Sequence, residues 1–262
     1  MTSSFPAVRA ADSAEAFRVQ EIHYPPDYRQ APHAHDTTGI TLVLGGEIRE
    51  TASRREEEAS SLSVVVKPAG TVHADRVGPR GAWTVRVEIL DEKALLGDAR
   101  DLGPWRWLHA GPGVRPLLGL RRALAGDPAG PDPEEAVAEL LGEVTDADGP
   151  NGHTSPGWVR RAREAIEDRA GEGIRVRDLA AELEVHPVSL TRAFRRAYGV
   201  PVSVYRRRVR LRRAAARISA TAQRLSRIAH ATGYADHAHM SREVRESTGL
   251  TPTRLRELSR GA

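Results

Sequence analysis

Residues 190–206 read LTRAFRRAYGVPVSVYR, and residues 240–256 read MSREVRESTGLTPTRLR. With Leu190 set against Met240 the two stretches keep step at an offset of 50 residues: Arg192 meets Arg242, Phe194 meets Val244, Gly199 meets Gly249, Val200 meets Leu250 and Arg206 meets Arg256. Upstream, Leu179-Ala180 meets Ile228-Ala229 at an offset one shorter, so one residue is inserted in one of the two turns. A small helical unit stated twice within 174–258 is a repeated helix-turn-helix. Self-similarity of this kind outweighs any single motif as a guide to architecture.

In the first unit the sequence predicts a short helix over 176–183, a turn over 184–186 and a second helix over 187–198. Pro187 suits a first helical turn, where no backbone donor is missed, and Gly199 suits the left-handed residue that ends a helix. On a helical wheel Leu190, Ala193, Phe194 and Ala197 share the core side. Val188, Arg192, Arg195 and Arg196 fall opposite, with Ser189 at the edge. The second unit predicts helices over 226–232 and 236–248 around a turn at 233–235. Met240 and Val244 point inward; Ala238, Arg242 and Arg245 point outward, with Glu246 beside them. Between the units, 202–218 predicts one long helix bearing Arg206, Arg207, Arg208, Arg210, Arg212 and Arg213. Such a helix holds the two second helices at a fixed separation, as entry into successive turns of one major groove requires.

Charge points the same way. Residues 1–150 hold 16 Lys/Arg against 24 Asp/Glu, a net −8, whereas residues 151–262 hold 23 against 11, a net +12. Every basic residue in the second set is arginine, whose guanidinium fork matches phosphate and the guanine edge. The outward residues Val188, Ser189, Arg192, Arg195, Arg196, Ala238, Arg242 and Arg245 are therefore the expected DNA contacts. Arg192 and Arg242 have a second reading, as braces to a carboxylate, and the arginines at 206–208 and 212–213 are expected to serve phosphates or the fold. The chain has no cysteine, which excludes disulfides, cysteine-ligated zinc and thiol catalysis. No apolar run approaches the ~20 residues of a membrane span. The first residues lack the charged and apolar regions of a signal peptide, so a cytoplasmic protein with no membrane partner is expected.

Leu179-Ala-Ala-Glu-Leu, Leu190-Thr-Arg-Ala-Phe-Arg-Arg, Gly199-Val-Pro, Ile228-Ala, Gly233-Tyr, Ser241-Arg and Gly249-Leu-Thr-Pro252 together resemble the AraC/XylS-type DNA-binding domain. The resemblance covers about the last hundred residues. It implies a transcription factor with two helix-turn-helix units joined by a linker helix, acting on double-stranded DNA and alongside RNA polymerase. The second unit departs from the pattern: Val244 sits at a usual aromatic and Glu246 at a usually basic or polar position. The first head, 187–198, is expected to carry more of the base readout.

The N-terminal half reads differently. Residues 17–90 carry short apolar runs at 40–44, 63–66 and 83–90, punctuated by Gly45-Gly46, Pro68-Ala69-Gly70 and Gly78-Pro79, which predicts an antiparallel barrel or sandwich. Residues 91–145 turn helical, with Leu117, Leu118, Leu120 and Leu124 and then Val137, Leu140, Leu141 and Val144 at helical spacing, broken at 126–133. These stripes fit packing on their own domain or a homodimer interface. Trp83, Trp105 and Trp107 read as packing residues. His33-Ala-His35 and Pro68-Ala-Gly70-Thr-Val-His73 form HxH … PxGxxH, which resembles the two motifs of cupin barrels. That resemblance implies that His33, His35 and His73 converge as metal ligands for Zn, Ni, Fe or Mn, or line an organic effector pocket without metal. The cupin glutamate, three or four intervening residues after HxH, is replaced by Gly39 and Ile40; Asp36 and Asp75 are the nearest substitutes in sequence.

The expectation is thus an α+β two-domain protein. Residues 1–145 form a cupin-like sensor barrel with a trailing helical connector, 146–156 a linker, and 157–262 an all-α double helix-turn-helix. It is read as a sequence-specific transcription regulator whose barrel senses a small molecule or metal, with no catalytic residues. The rival is a cupin metal-dependent enzyme carrying a DNA-binding appendage. A third reading is a DNA-binding protein whose barrel only dimerises.

Overall fold

The computed structural model describes residues 5–52, 55–97, 102–145, 156–172 and 174–260. An antiparallel sheet is built from β1 (Ala7–Ser13), β2 (Phe17–Tyr24), β3 (Arg29–His33), β4 (Thr38–Ala52), β5 (Arg55–Ala59), β6 (Ser63–Lys67), β7 (His73–Ile89) and β8 (Arg106–His109). The order is β1-β2-β7-β4-β6-β8, with β3 on β7 and β5 on β4. The strands expected within 17–90 are present. β1 and β8 lie outside that range, and β8 falls inside the segment expected to be helical. Its Trp-Arg-Trp-Leu alternation has the two-residue period of a strand, and it pairs with β6 from Ser63↔His109 to Val66↔Arg106.

The unbroken apolar runs follow from burial on both faces. Ile40, Leu42 and Leu44 join Val64, Val66, Val85 and Val87 beneath α2 (Val114–Leu124) and α3 (Pro133–Thr145). Val43 and Val65 turn the other way, into a second cluster with Ile48, Val77, Trp105 and Trp107. A strand covered on both sides has no reason to alternate with polar residues. The stripes on α2 and α3 sit in the first of these clusters, so they pack within the chain rather than offering a dimer face. Glu143 of α3 accepts from the Gly113 N–H at 2.6 Å, tying α3 to the start of α2. Between β7 and β8 a short helix, α1 (Glu92–Leu96), starts on Asp91, whose carboxylate accepts from Ala94 N.

After the expected linker, which apart from Pro156 lies outside the described residues, the chain is helical: α4 (Gly157–Asp168), α5 (Val176–Glu182), α6 (Pro187–Tyr198), α7 (Val202–Ala220), α8 (Leu225–Ala231), α9 (His237–Thr248) and α10 (Pro252–Arg260). Both recognition-type helices end as the repeat predicts: Gly199 and Gly249 each have φ 72°, a left-handed conformation open to glycine at little cost. The repeated arginines also match. Arg206 donates to Ile174 O ahead of α5, and Arg256 donates to Gln223 O at 2.7 Å and Ile218 O at 3.2 Å ahead of α8. Each therefore ties a following helix back to the entrance of its own unit.

The two units differ in what they pack on. The first has its own core of Val159, Ile166, Leu179, Leu190, Phe194 and Val202. The second shares one cluster with the sheet and with α2 and α3: Leu211, Ala215, Ile218, Ile228, Met240, Val244, Leu255 and Leu258 belong to it. A core separate from the sheet is therefore found in the first unit alone. The second unit also buries Glu243, only 4% exposed, where the wheel assigns no inward charge. Its carboxylate meets Arg210 at 2.9 Å and Tyr234 OH at 2.9 Å, with Arg207 Nε at 3.5 Å, and the Arg210 guanidinium lies 4.4 Å from the Tyr234 ring centre. This cluster fastens α9 to α7.

Removing one partner of a buried pair costs ~3–5 kcal/mol; Arg210 stays partly in water, so Glu243→Ala is expected to lower unfolding free energy by about 2–3 kcal/mol. A urea titration followed by circular dichroism measures it. A loss below about 0.5 kcal/mol would place the cluster with ordinary surface pairs.

Candidate DNA-reading faces and a histidine-lined cavity

Each second helix starts on a side-chain cap. His186 Nδ1 accepts from Val188 N at 3.2 Å at the start of α6, and Asp236 accepts from His239 N at 2.7 Å at the start of α9. Beyond the caps, Val188, Ser189, Arg192, Arg195 and Arg196 on α6 are exposed, as are Ala238, Arg242 and Arg245 on α9. None of these five arginines has a hydrogen-bond or ion-pair partner among the described residues, although the charge of Arg242 helps hold the Asp236 carboxyl below its usual range. The inward set behaves as the wheel requires: Leu190, Phe194, Met240 and Val244 are fully buried, and Ala197 nearly so.

The linker helix is different in kind. Arg207 pairs with Glu246 at 2.7 Å, Arg210 with Glu243, and Arg206 and Arg213 donate to backbone carbonyls. These guanidiniums serve the fold. Glu246, whose charge seemed to weaken the second head, is thereby countered from within the domain.

On the sheet side, His33 ends β3 directly across from His73, the first residue of β7. The ring centres lie 4.2 Å apart for His33 and His73, 4.9 Å for His33 and His35, and 5.2 Å for His35 and His73. One nitrogen from each ring lies within 4.8 Å of the others. His33 Nδ1 sits 3.0 Å from Ala31 O and His73 Nδ1 2.9 Å from Thr71 O. A carbonyl only accepts, so each Nδ1 carries a proton and donates it, which turns Nε2 into the nitrogen available for a ligand. Both Nε2 atoms are buried without a hydrogen-bond partner, and that of His73 lies 3.7 Å from Asp75 Oδ2. Burial, then the Arg86 and Lys67 charges, pull His35 down to about 4, and burial with Lys67 does the same for His73. His35 and His73 are thus neutral at physiological pH, and in His73 the second nitrogen is fixed by a carbonyl as in metal-binding imidazoles.

A second donor group adjoins the three histidines. Glu50 and Asp75, cross-strand partners on β4 and β7, form it together with His73. Glu50 is 2% exposed, held by Lys67 at 2.5 Å and by the Trp105 indole N–H. Asp75 has one buried oxygen, Oδ1, with no partner. Asp36 is exposed and outside both groups. Glu50, Lys67 and Asp75 face a crevice lined also by His35, Arg86 and Tyr24. Sequence reasoning names Asp75 but misses Glu50, Lys67 and Arg86, which only the register of β4 against β6 and β7 brings together. Trp105 and Trp107 are buried, as packing residues should be, but Trp105 also orients Glu50.

Residues 16–144 match the family described as an AraC-like ligand binding domain, and residues 179–258 match a helix-turn-helix domain. Among solved structures the chain is similar to the C-terminal domain of AraT, a response regulator from Geobacillus stearothermophilus (24% identity over 40% of this chain and 88% of that one, TM-score 0.38). It is also similar to ToxT from Vibrio cholerae O395 (11% identity over 95% and 100%, TM-score 0.41). A third similarity is to a cupin superfamily protein from Desulfitobacterium hafniense DCB-2 (14% identity over 35% and 83%, TM-score 0.31). No curated protein sequence matches the chain. No helix among the described residues is long and apolar enough to cross a membrane.

Because Asp236 alone supplies the side-chain cap of α9, Asp236→Ala is expected to cost ~1 kcal/mol of stability. Asp236→Asn, which keeps the accepting oxygen, should recover most of it. Thermal unfolding of the three proteins decides this, and equal losses in both variants would refute the capping role.

Proposed function

Because the chain belongs to the AraC-type transcription regulators, with a cupin-like ligand-binding domain ahead of a double helix-turn-helix domain, we propose that α6 and α9 read DNA through the exposed faces described above. Val188, Ser189, Arg192, Arg195 and Arg196 form the contact set of the first head, and Ala238, Arg242 and Arg245 that of the second. The observation that carries this reading is the division of labour among the arginines. Those on α6 and α9 are exposed and unpaired among the described residues, while most of those on α7 are tied to acids or carbonyls. An unpaired guanidinium on a protruding helix is free to form a bidentate bond to guanine or a charge pair with phosphate.

Arg195→Ala is expected to cost ~1–3 kcal/mol of DNA-binding free energy and to relax preference at one base position. Binding to a randomised operator library reads both effects, and an equal loss over all sequences would make Arg195 a phosphate contact instead. Losing Arg192 and Arg195 together should weaken binding more than losing Arg242 and Arg245. The reverse order would overturn the ranking of the heads.

The barrel is the sensing part of the proposal. His33, His35 and His73 hold a divalent ion of the Zn, Ni, Fe or Mn class, supported by the two orphaned Nε2 atoms aimed into one small volume. A bound ion would supply concentrated positive charge beside Glu50 and Asp75. The chain's own residues carry the consequence outward: Glu50 is fixed to Trp105, Trp105 adjoins β8, and β8 packs on α7, the helix between the heads. Binding in the barrel thus biases one of two presentations of the heads. Self-association through the α2 and α3 stripes forms no part of this reading, since both are buried within the chain.

The double variant H33A/H35A is expected to lose metal on elemental analysis and to lose the metal dependence of DNA affinity in the same preparation. Retained metal would remove the site. Metal that leaves DNA affinity unchanged but turns over a small substrate would favour a cupin enzyme with a DNA-binding appendage.

A further inference from the structure

The first turn of α6 puts an apolar group on a face that is otherwise polar. Val188 is 55% exposed, and among the described residues it is the only exposed large apolar side chain on either α6 or α9. A lone exposed valine is ordinary on a protein surface; its place is what matters here. Its own N–H is tied to His186 Nδ1, so the turn that carries it is capped. Residues three and four apart are neighbours on a helix surface, so Thr191 and Arg192 flank it. The Thr191 hydroxyl is spent on Pro187 O at 3.0 Å, while Arg192 is exposed with no partner among the described residues. A β-branched side chain strongly prefers one χ1 rotamer in a helix, so little freedom is lost when Val188 is pressed against another surface.

The floor of the major groove offers hydrogen-bond donors, acceptors and a single apolar group, the 5-methyl of thymine. A valine has no side-chain hydrogen bond to give, so the groove group from which it gains is that methyl. The repeat supplies a comparison within the same chain. Position 238 corresponds to 188 at the offset of 50, and Ala238 lacks the two γ-methyls of Val188. It is exposed like Val188 but reaches less far from its helix. An apolar readout of this depth therefore belongs to the first head.

We propose that Val188 reads the 5-methyl of one thymine in the half-site of the first head, and that 5-methylcytosine, which carries the same methyl on the same groove edge, is accepted there better than cytosine. The inference rests on the DNA-reading role of α6 and adds the base that this helix selects. The test uses the full chain and an operator that it selects from a randomised library. Each thymine is replaced in turn by deoxyuridine, which removes the methyl and keeps every hydrogen-bonding group. One replacement in the first-head half-site is expected to weaken binding roughly three- to fivefold, the worth of one buried methyl. Val188→Ala should bind the thymine and deoxyuridine duplexes alike at that position, both near the level of wild type on deoxyuridine. Arg242→Ala, on the other head, should lower affinity overall and keep the thymine preference. With cytosine at that position, adding its 5-methyl should recover part of the wild-type affinity and none of that of Val188→Ala. Wild-type binding without any sequence preference would overturn the DNA-reading role of both heads, and this inference with it. Sequence-specific binding indifferent to every deoxyuridine, a thymine preference that survives Val188→Ala, or 5-methylcytosine no better than cytosine would overturn this inference alone.

Discussion

One apolar face of the linker helix, formed by Leu211, Ala214, Ala215 and Ile218, sets the arrangement of the rest of the molecule. It is buried in the same cluster as the sheet residues Ile40, Leu42, Val85 and Val87, the leucines of α2 and α3, and the core of the second helix-turn-helix. A fully buried leucine or isoleucine contributes ~1.5–3 kcal/mol, so this face alone is a large term in the seating of the second head. Arg254 of α10 adds a polar clasp to Asp127 at 3.2 Å, in the turn between α2 and α3. Among the described residues the first head has no comparable apolar contact with the sheet and is joined to it through α7. Its core is separate, and its described ion pair with the sheet is Arg163 to Glu57 at 3.5 Å, partly exposed on both sides and worth at most ~1 kcal/mol. Magnitude therefore assigns the roles: the second head is part of the sensor's packing, and the first is the one that can shift at modest cost.

That asymmetry was hidden in a sequence that displays the repeat so openly. The repeat is legible because every signal in it is local. Leu190 and Phe194 are a helical turn apart, Gly199 follows the last turn, and all recur 50 residues on. What is not local is the partner of each unit. Glu243 reads as a solvent residue until Arg210 and Tyr234 are brought to it from α7 and the turn before α9. Glu246 reads as a repulsive charge until Arg207 is seen beside it. In both cases a helical wheel gives direction but not neighbour.

The barrel divides in the same way. HxH and PxGxxH are short motifs, and they mark three rings that the fold does gather. The cupin pattern places a carboxylate within a few residues of HxH, where this chain has Gly39 and Ile40. A buried carboxylate that does reach His73 stands 15 residues past His35, at Glu50, because β4 runs on past the histidines and pairs that position with Asp75 of β7. Register is a long-range property, and a slip of one residue would have turned Glu50 out of the cavity. β8 was passed over for a related reason: a four-residue strand set between helical stripes has little periodicity of its own, and its pairing with β6 defines it.

β8 is also where the two halves meet. Trp105 and Trp107 belong to the enclosed cluster, while Leu108 belongs to the cluster under α2 and α3, so the strand is gripped on both faces. Arg106 adds to the second grip, donating to Val144 O of α3 at 2.7 Å and to Leu102 O. Close-packed interiors do not deform smoothly; they move between discrete packings. A change in the Glu50–Lys67–Trp105 contacts cannot be absorbed by slack around β8, because none of its side chains faces bulk water without a partner element. It is passed on to what β8 touches next. On the α3 side that is a deep apolar core, expensive to repack. On the other it is α7 and the positively charged seam beneath the first head, where contacts are few. On the proposed reading, the route of least cost from the histidine cavity runs to the first head.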